Sequence, residues 1–404
     1  MQTPFGHLTY CTNIHAGESW AAHFEAIQQA IPAIKQQLSP NQPFGIGLRL
    51  SNKASIDLIK EENLQSFMQW LNREQCYVFT MNGFPYGGFH HTIVKDDVHT
   101  PDWTTEQRVA YTIRLANILA ALLPPGMEGS ISTSPLTYRH WHKAGEETKA
   151  VFKQATIHLL RVVEVLIQLK ESTGKSIHID IEPEPDGLME TGIEFLNWYH
   201  EYLLPTGVTF LKEKLHFDED KAIQTIKEHV QLCYDICHFA VGYEDYADVL
   251  QQLKAADIKV GKIQISAALK ATLPDAPEQR AAVIAAFKKF NEPVYLHQVV
   301  ARQKDGQLKR YPDLPDALLE ADTADIVEWR AHYHVPLFEE NYGVLQSTQK
   351  DIQQVLQLHR SAPFSTHLEV ETYTWEVLPE ELKLPLTDSI IRELQWVKEE
   401  LNKD

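Results

Sequence analysis

The sequence predicts an α/β fold, a (β/α)8 barrel, and three observations lead to it. Short apolar runs alternate with long amphipathic segments almost from end to end, which indicates a parallel sheet with helices outside it. Eight such units occur, the number that closes a barrel. The turn after the first run, residues 13–20, holds one glycine and no G-x-G-x-x-G motif, which disfavours an open dinucleotide-binding sheet.

Each of the eight runs has the length and the apolar composition of a buried strand. In chain order they are Leu8–Ile14, Phe44–Leu50, Cys76–Asn82, Gly129–Ser134, Ser176–Glu182, Gln231–Cys237, Val260–Ile265 and Thr366–Glu371. Apolar residues three and four positions apart predict helices between them. The clearest are Trp20–Leu38, Asn63–Asn72, Glu106–Leu123, Glu147–Glu171 and Asp220–Val230.

The interval between the seventh and eighth strands is about a hundred residues, far longer than a normal crossover. It contains the apolar run Pro293–Val300, the polar turn Gln303–Gly306 and a second run, Arg330–Leu337. We expect an insertion over about residues 270–345, a hairpin plus a strand-like loop at the C-terminal mouth. Barrel insertions at that mouth shape the active site. Because no low-complexity linker interrupts the chain, we predict a single domain over residues 1–404.

Composition and charge exclude several functional classes. The 404 residues include 37 Lys and Arg against 55 Asp and Glu, a net charge of −18 that argues against nucleic-acid binding. Four scattered cysteines make neither a disulfide framework nor a zinc ribbon. The first residues lack the basic and apolar regions of a signal peptide, and no apolar stretch of about 18 residues occurs. We therefore expect a cytoplasmic protein without a membrane span.

Acidic, amide and imidazole side chains gather where the predicted strands end, which is where barrels carry their chemistry. Glu182 is the outermost residue of its strand face, since side chains two positions apart share a face. The other candidates are Asp235 and His238 at the end of the sixth strand, Gln264 and Ser266 at the end of the seventh, Glu371 at the end of the eighth, and His297, His332 and His334 in the insertion. Such mixed oxygen and nitrogen donors suit Mn²⁺, Co²⁺, Mg²⁺, Fe²⁺ or Zn²⁺.

The segment Cys233–Asp245, with Asp235-x-x-His238, resembles the sixth-strand signature of the xylose-isomerase-like TIM barrels, the AP endonuclease family 2 superfamily. This superfamily joins sugar isomerases and epimerases to endonuclease IV-type repair enzymes. The resemblance implies metal-ligating glutamates at Glu182 and Glu371. It also implies a seventh-strand histidine, where this sequence has Gln264, so His332 or His334 could substitute, as a D-x-H pair does in the endonuclease branch.

The whole chain is also similar to the EboE-type metabolite traffic proteins of bacterial ebo operons. The resembling segments are Leu8–Glu18, Asn82–Gly88, Asp180–Pro185, Arg330–Leu337 and His367–Trp375. This narrower resemblance implies a part in the handling or export of a secondary metabolite.

The functional hypothesis is a metal-dependent sugar or sugar-phosphate isomerase or epimerase that moves a proton beside a carbonyl. Candidate metal ligands are Glu182, Asp235, Gln264, His332, His334 and Glu371, and candidate catalytic residues are Glu182, Glu371 and His238. Asn13, Arg49, Asn82, His238 and His297 are candidates for binding a sugar-like substrate or a secondary-metabolite precursor. His90 and His91 are further metal-ligand candidates in a segment that also has the composition of a Gly/Pro-rich turn.

Three alternatives stay open at this point. The strand-end acids could be ordinary solvated carboxylates. The barrel could bind a metabolite without turning it over, which Gln264 in place of a histidine favours. An endonuclease IV-like phosphodiesterase is the third alternative, which the net charge of −18 disfavours. The sequence does not identify the metal or the substrate. It also leaves the oligomeric state open, and a homo-oligomer is one of the alternatives.

Overall fold

Eight parallel strands form the barrel in a computed structural model that describes residues 1–88, 93–375, 378–380, 383 and 385–403. They are β1 (Gly6–Tyr10), β2 (Phe44–Arg49), β3 (Cys76–Asn82), β4 (Gly129–Thr133), β5 (Ile177–Ile181), β6 (Val230–Asp235), β7 (Val260–Ile265) and β8 (His367–Val370). The hydrogen-bonded order is β1-β8-β7-β6-β5-β4-β3-β2, and the short strand Gln2–Thr3 lies antiparallel on β1. The predicted α/β barrel fold is confirmed.

The barrel is almost closed, because β1 and β2 meet through side chains rather than through a regular ladder. A single backbone bridge joins Cys11 to Gly47. The Thr9 hydroxyl accepts from Gly47 N at 3.0 Å and donates to Gly45 O at 2.8 Å. A Cβ on Gly47 would lie 1.8 Å from Glu369 Oε1, so only glycine lets the two strands approach at this point.

Helices pack around the outside of the barrel, and most begin at a capping side chain. Ser19 accepts from Ala22 N at the start of the helix Trp20–Leu38. Thr105 accepts from Arg108 N at the start of the helix Glu106–Leu122. The other barrel helices are Asn52–Leu58, Glu61–Arg73, Glu146–Thr173, Gly192–Trp198, Leu204–Leu215, Glu219–His229, Ile236–Val241, Tyr246–Ala255, Gln349–Ser361 and Leu386–Leu401. No helix in the described ranges combines the length and the hydropathy needed to cross a bilayer.

The insertion between β7 and β8 forms a second sheet of six antiparallel strands. In spatial order they are Leu308–Tyr311, Val299–Gln303, Ile326–Ala331, Leu269–Thr272, Leu345–Ser347 and Asn341–Tyr342, with helices Pro277–Lys288 and Leu314–Leu319 between them. The expected hairpin exists at residues 299–311. The expectation of only a hairpin and a loop was too simple, because the short strands at 269–272 and 341–347 carry little hydrophobic pattern of their own.

The second sheet is tied to the barrel mouth by the segment that follows Ile326–Ala331. His332 N donates to Gln298 O at 2.8 Å, and Val335 N donates to Ala267 O at 3.0 Å. These hydrogen bonds stretch residues 332–335 across the C-terminal end of β7. The insertion thereby delivers His332 and His334 into the mouth of the barrel.

Candidate metal centre and acid–base site

Three carboxylates converge at the mouth, and we call them the carboxylate triad. Glu182 follows β5, Asp235 ends β6 and Glu371 follows β8, and one oxygen of each lies within 4.8 Å of the others. Gln264 on β7 lies among them. Its Nε2 donates to Glu182 Oε1 at 3.0 Å, to Asp235 Oδ2 at 3.1 Å and to Glu371 Oε2 at 2.5 Å. All four side chains are buried.

The amide of Gln264 has one chemically sensible orientation. Its oxygen accepts from Cys233 Sγ at 3.2 Å, and its nitrogen faces three oxygens that can only accept unless a proton is bound. An amide offers two hydrogens and no charge, so it links the acids by hydrogen bonds without neutralising their charge. Burial first, and the neighbouring carboxylates second, raise the pKa of both Glu182 and Glu371 well above the ordinary value.

Glu182 and Glu371 differ in what their oxygens contact. Glu371 Oε1 accepts from Asn13 Nδ2 at 2.7 Å and from Asn82 Nδ2 at 2.8 Å, while its Oε2 accepts from Gln264. Glu182 Oε2 is buried without a hydrogen-bond partner in the described part of the chain. Glu182 therefore has an oxygen available to take a proton, whereas both oxygens of Glu371 are already occupied.

Three imidazoles lie beside the triad, and we call them the histidine centre. His332 Nε2 lies 3.1 Å from His238 Nε2 and 3.3 Å from His334 Nε2. All three rings are at most 5% exposed. His238 comes from the short helix Ile236–Val241 that follows β6, while His332 and His334 come from the insertion. The centre is thus assembled from segments that are about 95 residues apart in the sequence.

The other ring nitrogen of each histidine shows which nitrogen carries the hydrogen. His238 Nδ1 lies 3.0 Å from Pro183 O, and His334 Nδ1 lies 3.0 Å from Glu371 O; both carbonyls can only accept. His332 Nδ1 lies 2.8 Å from Gln298 Oε1. The Gln298 amide is oriented by its Nε2, which donates to Pro185 O at 2.9 Å. Every Nδ1 is therefore a donor, and a neutral ring has its lone pair on Nε2.

The lone pairs of the histidine centre point at one another without a proton between His332 and His334. Burial first, and the neighbouring imidazoles second, lower the pKa of His332 well below its usual range. Burial lowers the pKa of His334 to about 4. Both rings are neutral near pH 7, so the contact between His332 Nε2 and His334 Nε2 brings two lone pairs together. This is an arrangement that a bound cation stabilises.

The spacing of the nitrogens fits a divalent metal. Ligands at about 2.0–2.1 Å around a tetrahedral ion leave neighbouring nitrogens about 3.3 Å apart. The two Nε2 separations of 3.1 and 3.3 Å match this value. His332 also groups with Glu184 and His238, and with Cys237 and His334, in sets whose ligand atoms lie within 4.8 Å of one another. Imidazole donors of this kind suit Zn²⁺, Fe²⁺ and Co²⁺.

A cavity opens above both groups of side chains. Its polar floor contains residues of the triad and of the histidine centre, together with Asn13, Asn82, His99, Glu184 and Gln298. Its upper wall is largely apolar and consists of Phe84, Pro85, Val94, Val98, Tyr295, Leu296 and Tyr373. Two contacts hold the upper wall to the insertion. Val94 N donates to Val294 O at 2.7 Å, and Lys95 Nζ contacts Asp313 Oδ2 at 2.6 Å.

Most of the site residues predicted from the sequence meet here. Glu182, Glu371, His238, His332, His334, Asn13 and Asn82 line the cavity, and Asp235 and Gln264 lie directly beneath it. Arg49 and His297 lie outside the cavity lining. Arg49 donates to the carbonyls of Pro85 and Gly87, and His297 Nε2 pairs with Glu292 Oε1 at 2.6 Å. His90 and His91 lie outside the described residues.

Sequence reasoning missed several residues of the cavity. His99 Nε2 contacts Glu184 Oε1 at 3.0 Å on its floor, and Gln298 orients His332. Glu184 follows Glu182 in a strand-end motif and could have been found by that position. His99 and Gln298 lie in irregular segments whose periodicity carries no signal.

The chain resembles several solved structures in its architecture. Neither a protein-family model nor a curated protein matches the chain. A xylose isomerase-like TIM barrel protein from Mycobacterium smegmatis, solved with magnesium, matches with 9% identity and a TM-score of 0.49, over 99% of this chain and 98% of that one. An IOLI protein with a bound zinc atom matches with 12% identity and a TM-score of 0.47, over 98% of each chain.

A third solved structure is D-psicose 3-epimerase in the presence of D-fructose, at 9% identity and a TM-score of 0.48, over 98% of this chain and 100% of that one. The structural neighbours are thus xylose-isomerase-like barrels, sugar epimerases among them. At these scores they carry no argument about chemistry, which rests on the residues described above.

Proposed function

We propose that the protein is a metal-dependent isomerase or epimerase that moves a proton beside the carbonyl of a sugar-like small molecule. The observation that carries the proposal is the histidine centre, where Nε2 lone pairs face each other across 3.1 and 3.3 Å. Because each Nδ1 is committed to an acceptor, the centre has the ligands and the spacing of a divalent metal site. Buried carboxylates for proton transfer lie next to it.

A divalent ion in the histidine centre would supply positive charge next to the oxygen on which negative charge develops. The residues of the chain do the rest. Glu182 has an oxygen without a hydrogen-bond partner among the described residues, so its ionised carboxylate can take the proton from the carbon beside the carbonyl and return that proton to the neighbouring carbon. Glu371, held in place by Asn13 and Asn82, is the second carboxylate that faces the reacting carbons.

The cavity sets limits on the substrate. The polar floor of the cavity can bind adjacent oxygens of a small molecule, while the apolar upper wall covers the rest of it. We propose a sugar-like molecule or a cyclic secondary-metabolite precursor, handled in the cytoplasm by an EboE-type protein. The metals to be tested are Zn²⁺, Fe²⁺, Co²⁺, Mn²⁺ and Mg²⁺.

A second candidate function is the binding and delivery of a metabolite without turnover. It is supported by the Gln264 amide, whose nitrogen lies within hydrogen-bond distance of all three carboxylates of the triad. The two functions differ in one measurable property, because only an enzyme exchanges a substrate hydrogen with solvent.

The proposal is tested by incubating metal-loaded protein in D₂O with ketoses, sugar phosphates and cyclic polyol ketones, and following deuterium uptake by NMR. Uptake that is lost in Glu182→Gln and kept in the exposed control Glu146→Gln supports the enzyme. A ligand that binds the wild type with no uptake, for every compound that binds, would overturn it in favour of the binding protein.

A further inference from the structure

We infer that Gln264 keeps the carboxylate triad free of metal and thereby confines the divalent ion to the histidine centre. The inference rests on the proposed function, because it takes the histidine centre as the place of the metal. Gln264 is thus a positioning residue that excludes a metal from the triad, and it is not itself a metal ligand.

The first step is the place of the Gln264 nitrogen. Its Nε2 lies 2.5–3.1 Å from one oxygen of Glu182, Asp235 and Glu371, the place where an ion shared by the three carboxylates would sit. An amide nitrogen has no lone pair to give a metal. The only ligand atom of this side chain is Oε1, and that atom points away, toward Cys233 Sγ at 3.2 Å.

The second step is that the amide cannot leave at low cost. Gln264 and Cys233 are both fully buried, and neighbouring strands enclose them on both sides. Turning the amide over would place its oxygen toward three carboxylates and its nitrogen toward the Cys233 sulfur, which accepts hydrogen bonds only weakly. The acids would lose their donor, and a buried polar group that loses its partner is costly. An ion that enters the triad has to bear this cost, whereas an ion in the histidine centre does not.

The third step concerns what the separation achieves. A carboxylate that ligates a metal shares its lone pairs with the ion and becomes a weaker base. With Gln264 in the triad, Glu182 keeps an oxygen for proton transfer while the ion acts from the neighbouring imidazoles. Glu182 is thereby left for proton transfer while the imidazoles hold the ion, and Asp235 is the triad carboxylate whose ligand atom also lies within 4.8 Å of those of His238 and His334.

The test is the substitution Gln264→His, which replaces the amide by a ring nitrogen that can ligate. Purified variants are incubated with Zn²⁺, passed through a desalting column and measured by inductively coupled plasma mass spectrometry. We expect about one equivalent of zinc in the wild type and about two in Gln264→His, with about one left in the double variant that also carries His332→Ala. Gln251→His, the same substitution at an exposed glutamine, should stay at about one.

Each outcome bears on one claim. A folded Gln264→His protein that stays at the wild-type zinc content overturns the inference, as does wild-type zinc that is lost in Glu182→Gln. Wild-type protein without zinc would contradict the proposed function, yet a gain in Gln264→His would still support the role of Gln264. If Gln264→His does not fold by circular dichroism, Gln264→Glu is read in the same way, since it replaces the amide nitrogen by an oxygen ligand of the same size.

Discussion

The histidine centre and the carboxylate triad lie side by side in one barrel mouth, yet their polar atoms are satisfied in opposite ways. In the triad, the Gln264 amide nitrogen offers its two hydrogens to three acids that all lie within hydrogen-bond distance. In the histidine centre, two Nε2 contacts bring lone pairs together, because every Nδ1 already donates elsewhere. The difference indicates that the histidines are arranged for a cation and the carboxylates for protons.

The largest expected effect is the loss of metal binding in His332→Ala. His332 provides the nitrogen that both other imidazoles contact, so its removal should lower Zn²⁺ affinity by more than about 100-fold, beyond the effect typical of residues behind the ligands. Competition with a chromophoric chelator measures this affinity. The exposed His200→Ala serves as the control, and equal losses in both variants would contradict a specific centre.

The substitution Glu182→Gln should leave metal binding intact and reduce proton transfer. We expect Zn²⁺ affinity within a few-fold of the wild type, because Glu182 contacts Gln264 rather than the Nε2 atoms. Deuterium exchange into a substrate should fall by about 100- to 10,000-fold, the contribution typical of a positioned general base. A variant that loses metal and activity together would show that the two regions form one metal site.

A smaller effect is expected from Gln298→Leu. Its side chain orients His332 through a hydrogen bond of 2.8 Å and does not itself belong to the histidine centre. Removing such a partner typically weakens metal binding by about 10- to 100-fold. Zinc titrations of both proteins test this, and unchanged affinity would show that His332 is oriented without Gln298.

The smallest effect concerns Glu393, a buried carboxyl that, like the carboxylates of the triad, accepts hydrogen bonds from uncharged donors. It accepts from Thr372 Oγ1 at 2.7 Å and from Leu337 N at 3.2 Å, and burial raises its pKa from 4.5 to about 8. The folded protein therefore holds a proton that the unfolded chain releases above pH 4.5. The stability from this group is present below pH 4.5 and is lost as the pH rises toward 8.

The Glu393→Gln variant tests this sign. Between pH 5 and pH 8 the Tm of the wild type should fall relative to the Tm of the variant, because the variant has no proton to lose. Titrations of the histidines occur in both proteins and cancel in the comparison. A constant difference in Tm over this range would show that Glu393 is ionised in the folded protein.

The barrel was predictable from the sequence, because each strand is a short apolar run between amphipathic helices. All eight predicted strands overlap β1–β8, and the helix Trp20–Leu38 has the predicted bounds. The strand-end acids were predictable for the same reason, since a strand's position in a barrel fixes where its last residue points. Glu182, Asp235 and Glu371 meet accordingly.

The insertion and the detailed hydrogen bonding were not predictable. Pairing of strand 326–331 with strand 299–303 on one side and with the distant strand 269–272 on the other depends on tertiary packing that no local pattern records. The orientation of Gln264 is another example. Its residue type suggested a substituted metal ligand, whereas only the positions of Cys233 and three acceptors show that the amide nitrogen faces the triad.

The most direct test of the division between the two regions is a crystal structure of zinc-loaded protein with anomalous data collected on both sides of the zinc absorption edge. We predict one anomalous peak bounded by Nε2 of His238, His332 and His334, with the Gln264 amide still donating to the triad. A peak enclosed by Glu182, Asp235 and Glu371, with Gln264 displaced, would contradict this account.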